Sequence, residues 1–429
     1  MRKIILLITV LTLIGCNNKT NEEDIKKGNV IFIHPDGTSL SNWIGMRMLY
    51  YGPDSETNWD KLPNMAIYSP HTSNTLTPSS NAGATMHSYG KKVVYDSYGM
   101  DGTNPVTALS GEPMSIMQEA KSKGIVTGII NSGHIVEPGT GVFVASSTAR
   151  KNTEEIAMKI VQSGTDLIFA GGEKSLLPKG TEGKFGVGER EDGLNLIEWA
   201  KNNGYKVIYT KEALLNLSPD TEKVLGIFAA DNTYNHESEE EQKEMGVENY
   251  NPEAPTLAEM TAAAIKFLDK KGKQFFLVIE EEGTDNFGNH NNANGMLEAL
   301  KRADDAIGVA SDYVNKDGNT MLITAADSEA GGMEILSYPS LNPEEAIPER
   351  DKTGSLYDGK YGTGSVPFLA KPDRFGNEFP FVVVWSTSYD VCGAVIAKAK
   401  GLNDHLMTGS IQNIDIYRFM YATLFGKLL

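Results

Sequence analysis

Short continuous apolar runs alternate along this chain with stretches in which apolar residues recur at helical spacing. Residues 29–34, Asn-Val-Ile-Phe-Ile-His, form one such run and empty into Pro35-Asp36-Gly37-Thr38, which reads as a buried strand leading into a turn. Further strands are expected near 65–69 and over 124–131, 167–170, 206–209, 224–229, 275–279, 320–324 and 381–385. Helices are expected over 40–51, 154–162, 194–203, 255–270, 297–307 and 414–424. This alternation predicts an α/β fold: a mostly parallel central sheet with helices on both faces. The Asn- and Gly-rich residues after Asp285 read as a loop reaching His290, and residues 338–380, rich in Gly and Pro, read as an irregular insertion.

Ahead of the first strand, Arg2 and Lys3 precede an apolar run from Ile4 to Ile14 that is too short to span a bilayer. The segment Leu13-Ile14-Gly15-Cys16 resembles a bacterial lipoprotein cleavage box, although an ordinary secretory signal shares the charged start and apolar centre. The resemblance implies a signal peptide at 1–16, a lipid on Cys16 that holds the protein to a membrane, a polar tether at 17–28 and one domain from 29 to 429. The expected location is the bacterial cell envelope, periplasmic or on the outer surface. Cys392 is the only other cysteine, so no internal disulfide is expected, and its apolar neighbours make it read as a core residue.

Composition narrows the partners. The chain has 429 residues, 40% hydrophobic and 22% charged, enough for a large core. A formal net charge of −17 repels nucleic acid and acidic surfaces, and leaves a small-molecule substrate as the expected partner.

Two features carry chemistry. Residues 77–92 place Ser79 and Ser80 after a proline at the start of a run of small residues, where one hydroxyl would lie at a positive helix N-terminus able to hold a phosphate, or where Ser79 or Ser80 is only an N-cap. Acids also stand where strands end: Asp36, Glu280 with Asp285, and Asp327. On a parallel sheet those ends share one edge, so carboxylates distant in sequence converge. Converging carboxylates call for raised pKa values or a bound divalent ion, and a serine and an arginine beside them point to phosphoryl chemistry.

With these residues in view, the chain resembles the alkaline phosphatase family. Phe32 to Gly37 is similar to the family's first metal-ligand strand, Ser80 to Lys92 to its nucleophile motif, Phe276 to Asp285 to its Glu-Gly-x-x-x-Asp motif, and Thr324 to Gly332 to Thr-Ala-Asp-His-x-x-Gly-Gly. The resemblance implies that Ser80 is the nucleophile, passing through a phosphoseryl intermediate, and that Arg150 clamps phosphate oxygens. It implies Asp36, Glu280, Asp285 and Asp327 as metal ligands, and a homodimer. The departures are specific. Ser79 replaces the aspartate before the nucleophile, and Asn81 replaces the alanine after it, offering an amide to phosphate. Glu137 stands at the magnesium-site threonine and is expected to bind metal there. The three zinc-site histidines fall at Ser328, Ser386 and Asn289, with His290 one place beyond the last and expected to serve as a metal ligand in its stead. His134 and His236 read as loop or core histidines. Oxygen ligands kept and imidazoles lost leave the cations open between magnesium, zinc, calcium and manganese.

The leading expectation is hydrolysis of phosphate monoesters. A phosphodiesterase or sulfatase on the same fold, and a non-catalytic phosphate-binding lipoprotein, are the competing readings.

Overall fold

The computed structural model describes residues 25–218 and 220–429; the apolar run, Cys16 and most of the tether lie outside them. Ten strands build the central sheet: β1 (Asn29–Pro35), β2 (Asn64–Ser69), β3 (Val126–His134), β4 (Leu167–Gly171), β5 (Tyr205–Ile208), β6 (Lys223–Ile227), β7 (Phe275–Glu281), β8 (Thr320–Thr324), β9 (Ile396–Gly401) and β10 (Gly409–Gln412). They lie in the order β10-β2-β9-β8-β1-β7-β3-β4-β6-β5. β9 runs antiparallel to both neighbours, and the other pairs are parallel.

The sheet is apolar on both faces because each is roofed by helices. In β1, Val30 and Phe32 enter one core while Ile31 and Ile33 enter the other. The first core is closed by α2 (Ser80–Tyr89) and α6 (Asn413–Phe425). The second is closed by α1 (Leu40–Tyr50), α3 (Leu257–Asp269) and α5 (Ala293–Asp317). Burying each Ile or Phe side chain stabilises the fold by about 1.5–3 kcal/mol. At the C-terminal edge the same two stripes continue as His34, Glu280, Glu281 and Asp327, all fully buried. Burying an ionised group costs several kcal/mol, so this edge needs compensation that the apolar stripes do not.

Three expectations change. The loop after Asp285 is a helix, α4 (Gly283–Asn289), which packs on the start of α5. Strand Pro380–Trp385 leaves the central sheet for a second, five-stranded one, where it pairs with Met333–Leu336, Leu356–Gly359 and Phe368–Leu369. Those partners are two to four residues long, too short to show a period. Cys392 is exposed rather than buried, because it follows the two-residue edge strand Asp390–Val391. No described helix is long and apolar enough to cross a membrane.

Candidate active site

Strand register assembles the site. His34 of β1 and Asn131 of β3 both stand opposite Glu280 of β7, which sets three polar side chains abreast on one face where the sheet ends. Asp36 follows His34 at the strand period, so it faces the same way. Asp285 is carried in by α4, and Asp327 follows β8.

Helix α2 brings the serines. Ser79 is extended and caps the helix, its Oγ accepting from the Ala82 amide at 3.3 Å and the Asp96 amide at 3.0 Å. Ser80 is the first helical residue, relieved of capping and nearly buried. Small residues let this helix approach the acids: a Cβ on Gly83 would stand 2.3 Å from the Asp327 Cβ. Asn81 donates its amide to Asp96.

The inner pocket lies around Glu280. Asn131 donates to Glu280 and also reaches Thr140 Oγ1 at 3.0 Å. A Cβ on Gly139 would overlap Glu280 Oε1 at 2.0 Å, so the turn Pro138–Gly141 closes on the carboxylate only with glycine there. His34 Nε2 faces Asp36 Oδ1 at 3.1 Å, and its Nδ1 lies 2.8 Å from the Ala325 carbonyl. One ligand atom from each of His34, Asp36 and Glu280 lie within 4.8 Å of one another, and the same holds for Asp36, Glu282 and Asp285 in an outer cluster.

Burial dominates the electrostatics. It pushes Glu280 up to about 8, with Asp36 and Glu137 adding repulsion. It also lifts Glu282, Asp285 and Asp327 well above the carboxylate range, each helped by neighbouring acids. Asp36 is the exception: burial disfavours its charge, but the adjacent His34 and the Gly37 amide hold it below the usual range. Among the described residues, Asp36 Oδ2, Glu280 Oε1, Glu282 Oε2 and Asp327 Oδ2 find no hydrogen-bond partner. Buried oxygens of this kind fit a set of divalent-ion ligands.

The remaining expected residues fall around this centre. Glu137 forms an ion pair with Arg150, so both stand together at the mouth. His290 is exposed, with Nδ1 toward the Asn286 carbonyl at 2.9 Å and its ring 5.1 Å from that of His236. It lies outside both clusters. Its neighbour Asn289 turns inward instead, donating to Asp285 and, at 3.1 Å, to Asp390. Ser328 donates to Asp327 at 3.2 Å, whereas Ser386 donates to the Gly332 carbonyl. His134 is tied to Ser175 and to the Val136 amide. It lines a cleft of about 750 Å³ with Asp96, Glu137, Arg150, His236 and Asn286. Sequence reasoning passed over His34, Glu282, Asn131 and Thr140. For His34 the signal was present, two residues before Asp36 in a strand.

An open α/β sheet that gathers unpaired acids and a helix-start serine at its C-terminal edge has the site placement of a hydrolase built on such a sheet. The sequence matches the alkaline phosphatase family model over residues 27–424, and the chain belongs to that family. It is similar to the membrane-bound alkaline phosphatase of Bombyx mori, at 25% identity over 73% of this chain. It is also similar to the tissue-nonspecific alkaline phosphatase of Felis catus, at 27% identity over 96% of this chain. It spans 86% of the length of the latter but only 62% of the former. Among solved structures it shares its fold with the alkaline phosphatase of the Antarctic bacterium TAB5, at 22% identity and a TM-score of 0.71, covering 94% of this chain and 100% of that one.

Proposed function

We propose that this protein hydrolyses phosphate monoesters with Ser80 as nucleophile. The observation that carries the reading is the division of labour at the start of α2: Ser79 caps, and Ser80 is left free beside a set of buried acids. Asp36, Glu280, Asp285 and Asp327, with Glu282, would hold divalent cations. A divalent cation bound there neutralises the carboxylates and lowers the pKa of a hydroxyl or water.

Ser80 Oγ attacks phosphorus, the P–O bond to the leaving group breaks, and the departing oxygen takes up a proton. Water then attacks the phosphoserine, releasing phosphate and restoring the hydroxyl. The free amides of the first turn of α2 face the oxygens of the transferring group, and Arg150 donates to two of them. Asn81, held by Asp96, positions its amide beside them. Glu137 holds the guanidinium at the mouth of the cleft until substrate arrives.

The test is turnover of p-nitrophenyl phosphate by the full chain, stripped of metal and reloaded with zinc, magnesium, manganese or calcium. Metal-restored turnover that vanishes in Ser80→Ala is expected; a folded protein inactive with every metal sinks the reading. The sharing of Arg150 with Glu137 leaves less free positive charge for a dianion, which favours diesters or sulfates as a second reading. The ratio of rates on the three substrate classes decides it. Anchoring through Cys16 in the cell envelope belongs to the same proposal, and the mass of the N-terminal peptide from cell membranes tests it. Sedimentation of the purified chain tests the homodimer.

A further inference from the structure

His34 is locked in one orientation by its surroundings. Its Nδ1 faces a backbone carbonyl, which only accepts, so Nδ1 carries the hydrogen. Nε2 then either carries a second proton and pairs as an imidazolium with Asp36 Oδ1, or presents a bare lone pair to that acceptor, which already receives the Gly37 amide at 2.9 Å. Two acceptors at 3.1 Å need something positive between or beside them. A proton on Nε2 would settle that one contact, but would leave Asp36 Oδ2 and Glu280 Oε1 without partners. An ion touching all three side chains serves every group at once. The spacing fits a bound ion: two ligands about 2.1 Å from it stand about 3.0 Å apart at a right angle and about 3.4 Å apart at a tetrahedral angle, and the observed 3.1 Å lies between. A ring whose other nitrogen donates to a backbone carbonyl is also the usual outer support of a metal-bound imidazole.

Resting on the metal-dependent reading above, we infer that His34 Nε2 is a metal ligand, and that the pocket of His34, Asp36 and Glu280 takes a zinc-like transition ion. The two clusters then differ in kind. The inner one offers a nitrogen; the outer one, Asp36 with Glu282 and Asp285, offers oxygen alone and suits a harder ion such as magnesium or calcium. The family resemblance put imidazoles at the positions of Ser328, Ser386 and Asn289. In this chain the imidazole comes from β1.

The test measures binding, not turnover. Zinc and magnesium affinities of the full chain are determined by competition with a chelating dye for the unaltered protein, His34→Gln and His290→Gln. Zinc affinity is expected to fall at least about tenfold in His34→Gln, by the scale of losses at such sites. It should hold in His290→Gln, and magnesium affinity should change far less in either. In the unaltered chain labelled with nitrogen-15 at histidine, zinc should shift His34 Nε2 while Nδ1 keeps its proton, an observation that stands even if the variant fails to fold. Unchanged zinc affinity in a folded His34→Gln, or a His34 Nε2 signal indifferent to zinc, overturns the inference. A zinc-shifted His34 in a chain with no Ser80-dependent turnover would overturn the phosphatase reading and leave this one standing.

Discussion

Residues 280, 281 and 282 are three consecutive glutamates, all buried, yet they live in opposite circumstances. Glu281 points to the α5 face, where Ser132 donates to it at 2.8 Å and the Arg302 guanidinium lies 3.5 Å away. Arg302 is itself buried and stacks on Tyr250 at 4.3 Å. Glu280 and Glu282 point to the other side, where among the described residues no arginine or lysine pairs with them and His34 is the positive group nearest Glu280. Where only the fold is at stake, the chain supplies its own positive partner. Where it withholds one, the carboxyl either keeps its proton or, on the reading proposed above, takes a cation from solution, and that is how such a site differs from a structural ion pair.

The largest effect should separate the two kinds of acid by rate. Glu280→Gln or Asp36→Asn is expected to lower kcat/KM on p-nitrophenyl phosphate by about 10²–10³-fold or more; Glu280→Gln should not lower the stability of the metal-free chain, whereas Asp36→Asn also removes the partner of His34. The double replacement Glu281→Met with Arg302→Met should leave the rate within about threefold. Equal losses in both would erase the distinction. Next in size, Arg302→Met alone should destabilise the protein by about 3–5 kcal/mol, since it strands a buried carboxylate. Urea unfolding measures this, and most of the loss should return when Glu281→Met is added.

A third effect follows from the raised carboxyls. Glu280 titrates near 8 in the folded chain against an ordinary value of 4.5, so between those limits the folded state binds more protons than the unfolded one. Its contribution is full below about pH 4.5 and is lost as pH rises towards 8, at up to about 1.4 kcal/mol per pH unit. Glu282, Asp285 and Asp327 act with the same sign. The metal-free protein should therefore melt at lower temperature as pH rises from 5 to 8.5, and added divalent ions should restore more at the alkaline end. A melting temperature indifferent to pH would mean that the acids are not raised. Smallest is Asn81→Ala, which removes a hydrogen bond of about 1 kcal/mol. A rise in KM of roughly fivefold with kcat nearly unchanged is expected, read from initial rates.

Much of this was legible from one-dimensional pattern. Apolar runs ending in acids located β1, β7 and β8 and the edge they share, because a buried parallel strand leaves little choice of residue. β9 escaped notice because its residues, Ile-Ala-Lys-Ala-Lys-Gly, alternate alanine with lysine; Lys398 is tolerated inside by the Asp60 carbonyl at 3.0 Å and the face of Trp59. Glu282 was hidden for another reason. Its place in the outer cluster depends on α4, whose Gly and Asn content has poor helix propensity and is overridden by packing against α5. His34 was readable from strand period but lay inside a motif already explained by Asp36.

The position of β1 sets a timetable for the molecule. Asn29 bonds to Thr320 across 291 residues, so the strand made first waits without a neighbour on that side until residue 320 has been synthesised. Contacts of such long separation form late in folding. Because Asp36 belongs to both clusters, neither can close around an ion while β1 is unpaired. On the metal-dependent reading proposed above, ion capture is thus a late event in maturation.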